Sequence, residues 1–228
     1  MNRFKSKIVF IFITLLFLTT CDKDDPSLNI FTINQDIEFG AQLQEEIENN
    51  PTDFPLLDES EYSLAYTHIE RIRDAILQSD DLKYSTRFDW EIRIINNDTV
   101  LNAFAAPGGF MCFYTGLIKF LDNEAQLAGV MAHEIAHADR RHSTDRLTKA
   151  YGLELLVGIL LGNQPGKIAE IAAGLAKGLA NLSFSRENEY EADEYAVTYL
   201  YDTDYDPRGI AGFFEKLGNH SQIGRAHV

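Results

Sequence analysis

The sequence predicts an α+β domain, mostly helical, with a small β-sheet or hairpin beside one strongly apolar helix. Three observations carry that expectation. Apolar residues recur at helical spacing in several segments, most clearly over Ser60–Gln78 and from Glu124 onward. The runs Trp90–Ile95 and Phe110–Tyr114 read instead as short strands. With the leader set aside, about 200 residues remain, which suits one compact domain, and no internal repeat or low-complexity block divides them.

The elements follow in order. Residues 1–20 read as a secretory signal. Arg3, Lys5 and Lys7 precede an apolar and threonine core, Ile8–Thr20, that is too short to span a bilayer and runs straight into Cys21 and polar residues. An uncleaved signal anchor is the alternative. Leu18-Thr19-Thr20-Cys21 resembles a lipoprotein cleavage site, although Thr20 stands where Gly, Ala or Ser is usual. Cleavage there makes Cys21 a lipidated N-terminus, held stably by several acyl chains, with 21–35 as a tether. Asp22-Lys23-Asp24-Asp25 is similar to a surface-export signal, while an Asp directly after the Cys resembles inner-membrane retention. The expected destination is the outer membrane, on its periplasmic or surface face.

The domain itself is expected over 36–222. Asp36–Asn50 is helix-like and Pro51–Leu57 a loop. Ser60–Gln78 is a second helix with Leu64, Ile69, Ile72 and Ile76 inward, and His68 near that face as a structural histidine. A strand-rich stretch covers Phe88–Phe120. A helix capped by Asp122 or Asn123 follows, with Glu124 suited to its positive end, continuing through Lys149. Leu153–Leu161 is apolar but short of a bilayer span. With Ile168–Leu182 it is expected to form a buried helical pair, in preference to a lid or membrane-touching hairpin. Asp202–Pro207 is a loop and Arg208–Leu217 a last helix. Ile223–Val228 is what one frame of a common sequencing-library adapter encodes, so 223–228 is expected to be an artefact on a truncated gene. His227 accordingly receives no function. A native stop codon after Val228 in genomic DNA would refute this.

Cysteine and charge usage narrow the function classes. Only Cys21 and Cys112 occur, so lipidation of Cys21 leaves no intrachain disulfide, and Cys112 reads as a small buried hydrophobe. The formal charge is −15, more negative still without the leader's three cations, and no basic stripe is present. Nucleic acid and electrostatic attraction to anionic lipid are therefore not expected.

His133-Glu134-Ile135-Ala136-His137 carries the chemistry. Residues four apart on a helix stack on one face, so two imidazoles can close on one metal ion while the adjacent carboxylate reaches a water there. The surrounding run is almost wholly apolar, and burying three ionisable groups in it is costly unless something pairs with them. A Gly-x-x-His extension would need Gly at 140 and His at 143. Arg140 and Ser143 stand there, with His142 one residue out of register. The third ligand must then come from elsewhere. The acidic segment Ser185–Ala196 offers Glu187, Glu189 and Glu191, and spacing alone does not choose among them.

Three segments resemble the gluzincin metallopeptidases grouped with HtpX and the CaaX prenyl proteases, in the soluble envelope lipoprotein branch typified by BepA and LoiP. They are Asn102-Ala103-Phe104-Ala105-Ala106-Pro107-Gly108-Gly109, the His-Glu-Ile-Ala-His run with Arg141-His142 after it, and Ser185-Arg186-x-x-Glu189-x-x-Ala192-Asp193. The resemblance spans about Asp36 to Leu217. It implies a zincin-like fold and one zinc ion held by His133, His137 and Glu189, with Asp193 orienting a ligand imidazole and Glu134 as general base. It also favours Ala106, Pro107, Gly108 and Gly109 as a substrate-binding edge over a plain hairpin turn. The family's further His-Pro segment is not found, which leaves His220 a weak candidate for its role.

The function so implied is a zinc-dependent endopeptidase of the bacterial envelope, acting on unfolded or misassembled proteins. Rivals are a chaperone-like assembly lipoprotein with a structural or vestigial zinc site, and a metal-free peptide-binding lipoprotein. Glu134 discriminates against the first, since a structural site has no use for a base. Glu189 with Asp193 one turn on discriminates against the second.

Overall fold

The computed structural model describes residues 31–164, 166–176 and 184–225, the last seven by backbone alone. The leader 1–20, Cys21 with the tether to 30, residues 177–182 of the second apolar segment, the side chain of His220, and 226–228 with His227 lie outside these.

The first helix, α1 (Ile33–Glu48), starts earlier than expected because Thr32 and Gln35 form a reciprocal capping box. The tether therefore ends sooner, and Phe31 is buried. Helix α2 (Ser63–Ile76) buries Tyr66, Ile69, Ile72 and Ile76. Leu64 is 76% exposed, a correction to its expected inward role: five residues before Ile69, it falls well off the stripe. His68 is likewise exposed, 3.6 Å from Glu124 across the solvent face, and not a structural core residue.

The middle contains less strand than expected. Strands β1 (Ile92–Ile95), β2 (Ala103–Ala105) and β3 (Met111–Tyr114) form one sheet in the order β1-β3-β2, and Thr115–Phe120 is a short helix, α3. β3 runs parallel to β1 and antiparallel to β2. Side chains alternate across the sheet. Ile92, Ile94, Met111 and Phe113 face one core, while Phe104, Cys112 and Tyr114 face a second. Cys112 is fully buried, and burial pushes its thiol up, so it packs as a hydrophobe.

The remaining helices are α4 (Glu124–Asp139), α5 (His142–Tyr151), α6 (Leu153–Leu160), α7 (Lys167–Ala176), α8 (Arg186–Leu200) and α9 (Gly209–Arg225). Helices α2, α4, α8 and α9 contribute to the first core and α1, α6 and α7 to the second, giving three layers with the sheet between. α6 and α7 each bury one face only, and Leu153 and Leu161 stay exposed. Among the described residues no helix is long and apolar enough to cross a membrane.

The helix after Asn123 does not run on to Lys149. It breaks at Arg141, whose φ of 63° is left-handed and costly for a side-chain-bearing residue. The buried Asp36 of α1 holds it there, accepting from Arg141 Nε at 2.6 Å, and Arg141 also donates to the Phe31 carbonyl. The kink is a tertiary contact, invisible to local periodicity.

Candidate active site

Two helices meet to build the site. Asn123 caps α4 by accepting from the Gln126 backbone N–H, and Ser185 caps α8 by accepting from that of Asn188. Between them pack small residues, Ala128, Ala132 and Ala136 on α4 against Ala192 and Ala196 on α8, all fully buried. Small side chains at a crossing let the axes approach, and this brings carboxylates of α8 against imidazoles of α4.

His133, His137 and Glu189 converge. The two Nε2 atoms are 3.0 Å apart, and Glu189 Oε2 lies 3.4 Å from His133 Nε2 and 3.8 Å from His137 Nε2. Tetrahedral bonds of about 2.0–2.1 Å require ligand atoms roughly 3.3 Å apart, so one ion of zinc's size fits these donors. Both histidines are buried, while the Glu189 side chain is 43% exposed and leaves an open side. His133 turns its other nitrogen to Asp193, with Nδ1 2.9 Å from Oδ1. Phe184 stacks on the His137 ring at 3.6 Å and carries the Arg146 guanidinium 4.0 Å from its centre. Of the three acidic candidates, only Glu189 reaches the imidazole pair; Glu191 contacts His142 and Arg140 instead.

The charge states are divided in the same small volume. Burial alone would lower His133, but hydrogen bonds to Asp193 and Glu189 outweigh it and raise the imidazole to about 10. Burial takes His137 down to about 3. Hydrogen bonds from both histidines hold Glu189 well below the usual carboxylate range. Burial pushes Glu134 up to about 7, offset in part by the charges of His133 and Arg146.

Glu134 projects toward the sheet, where it accepts from the Ala105 backbone N–H. Ser143 Oγ donates to the Ala105 carbonyl at 2.9 Å. The backbone groups of Phe104 thus point to β3, and those of Ala103 and Ala105 point away from it. Ala106, Pro107, Gly108 and Gly109 are not on that edge. They form a buried turn, the last three a 3-10 turn, under α1. A Cβ on Gly40 would fall 1.9 Å from the Pro107 carbonyl oxygen, so α1 closes directly over them. The expected substrate edge at 106–109 is corrected on this point.

Sequence reasoning passed over the partners behind the ligands. His142 is buried with Nδ1 3.1 Å from His137 Nδ1 and Nε2 3.1 Å from Glu191 Oε2, and Glu191 Oε1 accepts from Arg140 Nε at 2.5 Å. In the sequence His142 stands one residue out of register for a third ligand, and Glu191 is one of three glutamates that spacing leaves open. The placement of His142 follows from the bend at Arg141, which no motif records, and that of Glu191 from the packing of α8 on α4.

Residues 64–227 match the model of peptidase family M48. The beta-barrel assembly-enhancing protease of Yersinia pestis is 33% identical over 148 residues, covering 60% of this chain and 30% of that protein. The mitochondrial metalloendopeptidase OMA1 of Arabidopsis thaliana is 33% identical over 129 residues, covering 57% of this chain and 26% of that protein. A putative beta-barrel assembly-enhancing protease of Vibrio cholerae is 28% identical over 82% of this chain and 39% of its own length. The chain spans well under half the length of these relatives.

Proposed function

This chain belongs to peptidase family M48, and from that premise we propose that it is a zinc-dependent metalloendopeptidase of the bacterial cell envelope acting on unfolded or misassembled proteins. The observation that carries the proposal is the convergence of His133, His137 and Glu189 from two helices, with Glu134 adjacent to the first ligand. A zinc ion held there would supply Lewis-acid polarisation of the scissile carbonyl and would acidify the attacking water.

The chain's own residues do the rest. His133, His137 and Glu189 would hold the ion, and Asp193 fixes the His133 ring through Nδ1, leaving Nε2 free for it. Glu134, raised to about 7, takes a proton from the attacking water and returns it to the leaving nitrogen. Its contact with the Ala105 N–H ties the base to β2. An extended substrate pairs by its backbone at the outward-facing Ala103, which gives broad sequence tolerance. The intact base beside the first ligand favours this reading over a purely structural zinc site. The envelope location and the anchor through Cys21 rest on the leader; in the cellular host, Cys21→Ser should release the protein from membranes, and retention of that variant would reject the anchor.

The test is cleavage of casein by the purified protein. Activity should vanish with chelator and return with zinc. Glu134→Gln should lower turnover about 10²–10⁴-fold with zinc content unchanged. Undiminished cleavage by that variant would reject the base role.

A further inference from the structure

We propose that His142 and Glu191 are positioning residues that lock the proton and orientation of the second ligand, His137, through an unbroken relay ending on Arg140. The inference rests on the metal-site reading above and adds to it residues that bind no metal themselves.

The proton assignment follows from the distances. His137 directs Nε2 at His133 Nε2 and Glu189, so that nitrogen is the one available to a metal. Its Nδ1 must then carry the hydrogen. The atom facing it at 3.1 Å is His142 Nδ1, which can only accept. His142 is therefore the Nε2–H tautomer, and that N–H points at Glu191 Oε2, 3.1 Å away. Glu191 accepts it as a carboxylate, and its other oxygen accepts from Arg140 Nε. Each link dictates the next, and reversing any one sets two donors or two acceptors face to face.

The relay is also mechanically fixed. His137, His142 and Arg140 are all buried, and the Arg140 guanidinium lies 4.5 Å from the centre of the Tyr195 ring. Arg140 and His142 flank the left-handed Arg141, so the break between α4 and α5 folds His142 back beneath the ligand helix. Glu191 comes from α8, as Glu189 does. The same helix thus supplies one direct ligand and the anchor that orients another. The two imidazole ligands differ in kind: His133 rests directly on the half-exposed Asp193, whereas His137 reaches its carboxylate through a second, buried imidazole.

The test compares His142→Leu, His142→Gln and Glu191→Leu in the full chain, reading zinc affinity by competition with a chromophoric chelator. Thermal stability of the metal-free proteins serves as the fold control. Loss of such a partner typically weakens metal binding 10–100-fold, so His142→Leu and Glu191→Leu should each raise the zinc Kd by about that factor. His142→Gln should recover most of it, because an amide presents an accepting oxygen to His137 and a donating nitrogen to Glu191. Cobalt substitution should show an altered ligand-field spectrum in the leucine variants and a near-native one in His142→Gln. Unchanged zinc affinity in His142→Leu, or a glutamine variant as weak as the leucine one, would overturn the relay. Should His142→Leu fail to fold, Glu191→Leu decides by the same readout. If the unmodified chain binds zinc but does not cleave casein, the protease proposal fails while the relay stands.

Discussion

Glu134 and Glu189 are carboxylates of one small site, yet burial raises the first to about 7 and hydrogen bonds from two imidazoles lower the second. Environment thus separates the carboxylate proposed as base from the one proposed as ligand. Hydrogen bonds to Asp193 and Glu189 favour a proton on His133, raised to about 10 against the effect of burial. A ligating imidazole must be neutral, so zinc binding at pH 7 should release about one proton from that ring. Calorimetry in buffers of different ionisation enthalpy measures this; uptake of zinc with no proton released would contradict the assignment. The linked effect on the metal-free protein has two signs. The raised His133 contributes stability that is complete below about 6.5 and lost as pH rises through about 10. The depressed His137 contributes stability present above about 6.5 and lost as pH falls toward about 3. Asp193 acts at the same scale: Asp193→Asn should weaken zinc binding about 10-fold or more in a chelator competition, and an unchanged Kd would remove it from the site.

At the scale of elements, the site depends on how closely helices can approach α4. On its α9 side the approach is set by glycine. A Cβ on Gly209 would lie 1.9 Å from the Ala125 carbonyl oxygen, and one on Gly129 would lie 2.4 Å from the Ile210 nitrogen. Both collisions are with backbone, so neither is relieved by a rotamer change. Gly209→Ala should destabilise the fold by about 1–3 kcal/mol, measured by urea denaturation. Gly218→Ala, with nothing near its Cβ position, should be neutral or slightly stabilising. Equal stability of the two variants would show that the α4–α9 contact is looser than described. The sequence announced α4 through its cap and apolar run, and the partner helix α8 through its acidic cluster. It did not announce the break at Arg141, because the Asp36 that holds it is more than a hundred residues away along the chain.

Across the whole molecule, the metal site joins α4 and α8 on the open side of the first core, beside the edge strand β2. An ion bound there would add a further tie between two helices that already meet through small apolar residues, the His133–Asp193 contact and the Tyr199 hydroxyl on Asp139. Saturation with zinc at about 100 times its Kd should stabilise the fold by about 2.7 kcal/mol, or roughly 5–10 °C in Tm for a domain of this size. Scanning calorimetry with zinc and with chelator checks this. An identical Tm in both would mean that the three ligands do not close on one ion. The sheet order explains the substrate-edge correction at this scale. Ala106–Gly109 reads as an exposed turn in one dimension, but α1 crosses over it in three.

What the sequence determined by itself was the inventory: the paired imidazoles with their neighbouring base, the helix caps, the strand runs and the choice of an acidic helix as partner. These are local properties, set by residue type and by spacings of two, three and four. Spacing left three glutamates of that helix open and only the motif resemblance pointed to Glu189; the tertiary structure alone decided where α4 ends, which strand lies at the sheet's edge, and that His142 stands behind His137. Each of those outcomes depends on contacts between residues far apart in the chain, whose distance is fixed only when the layers pack.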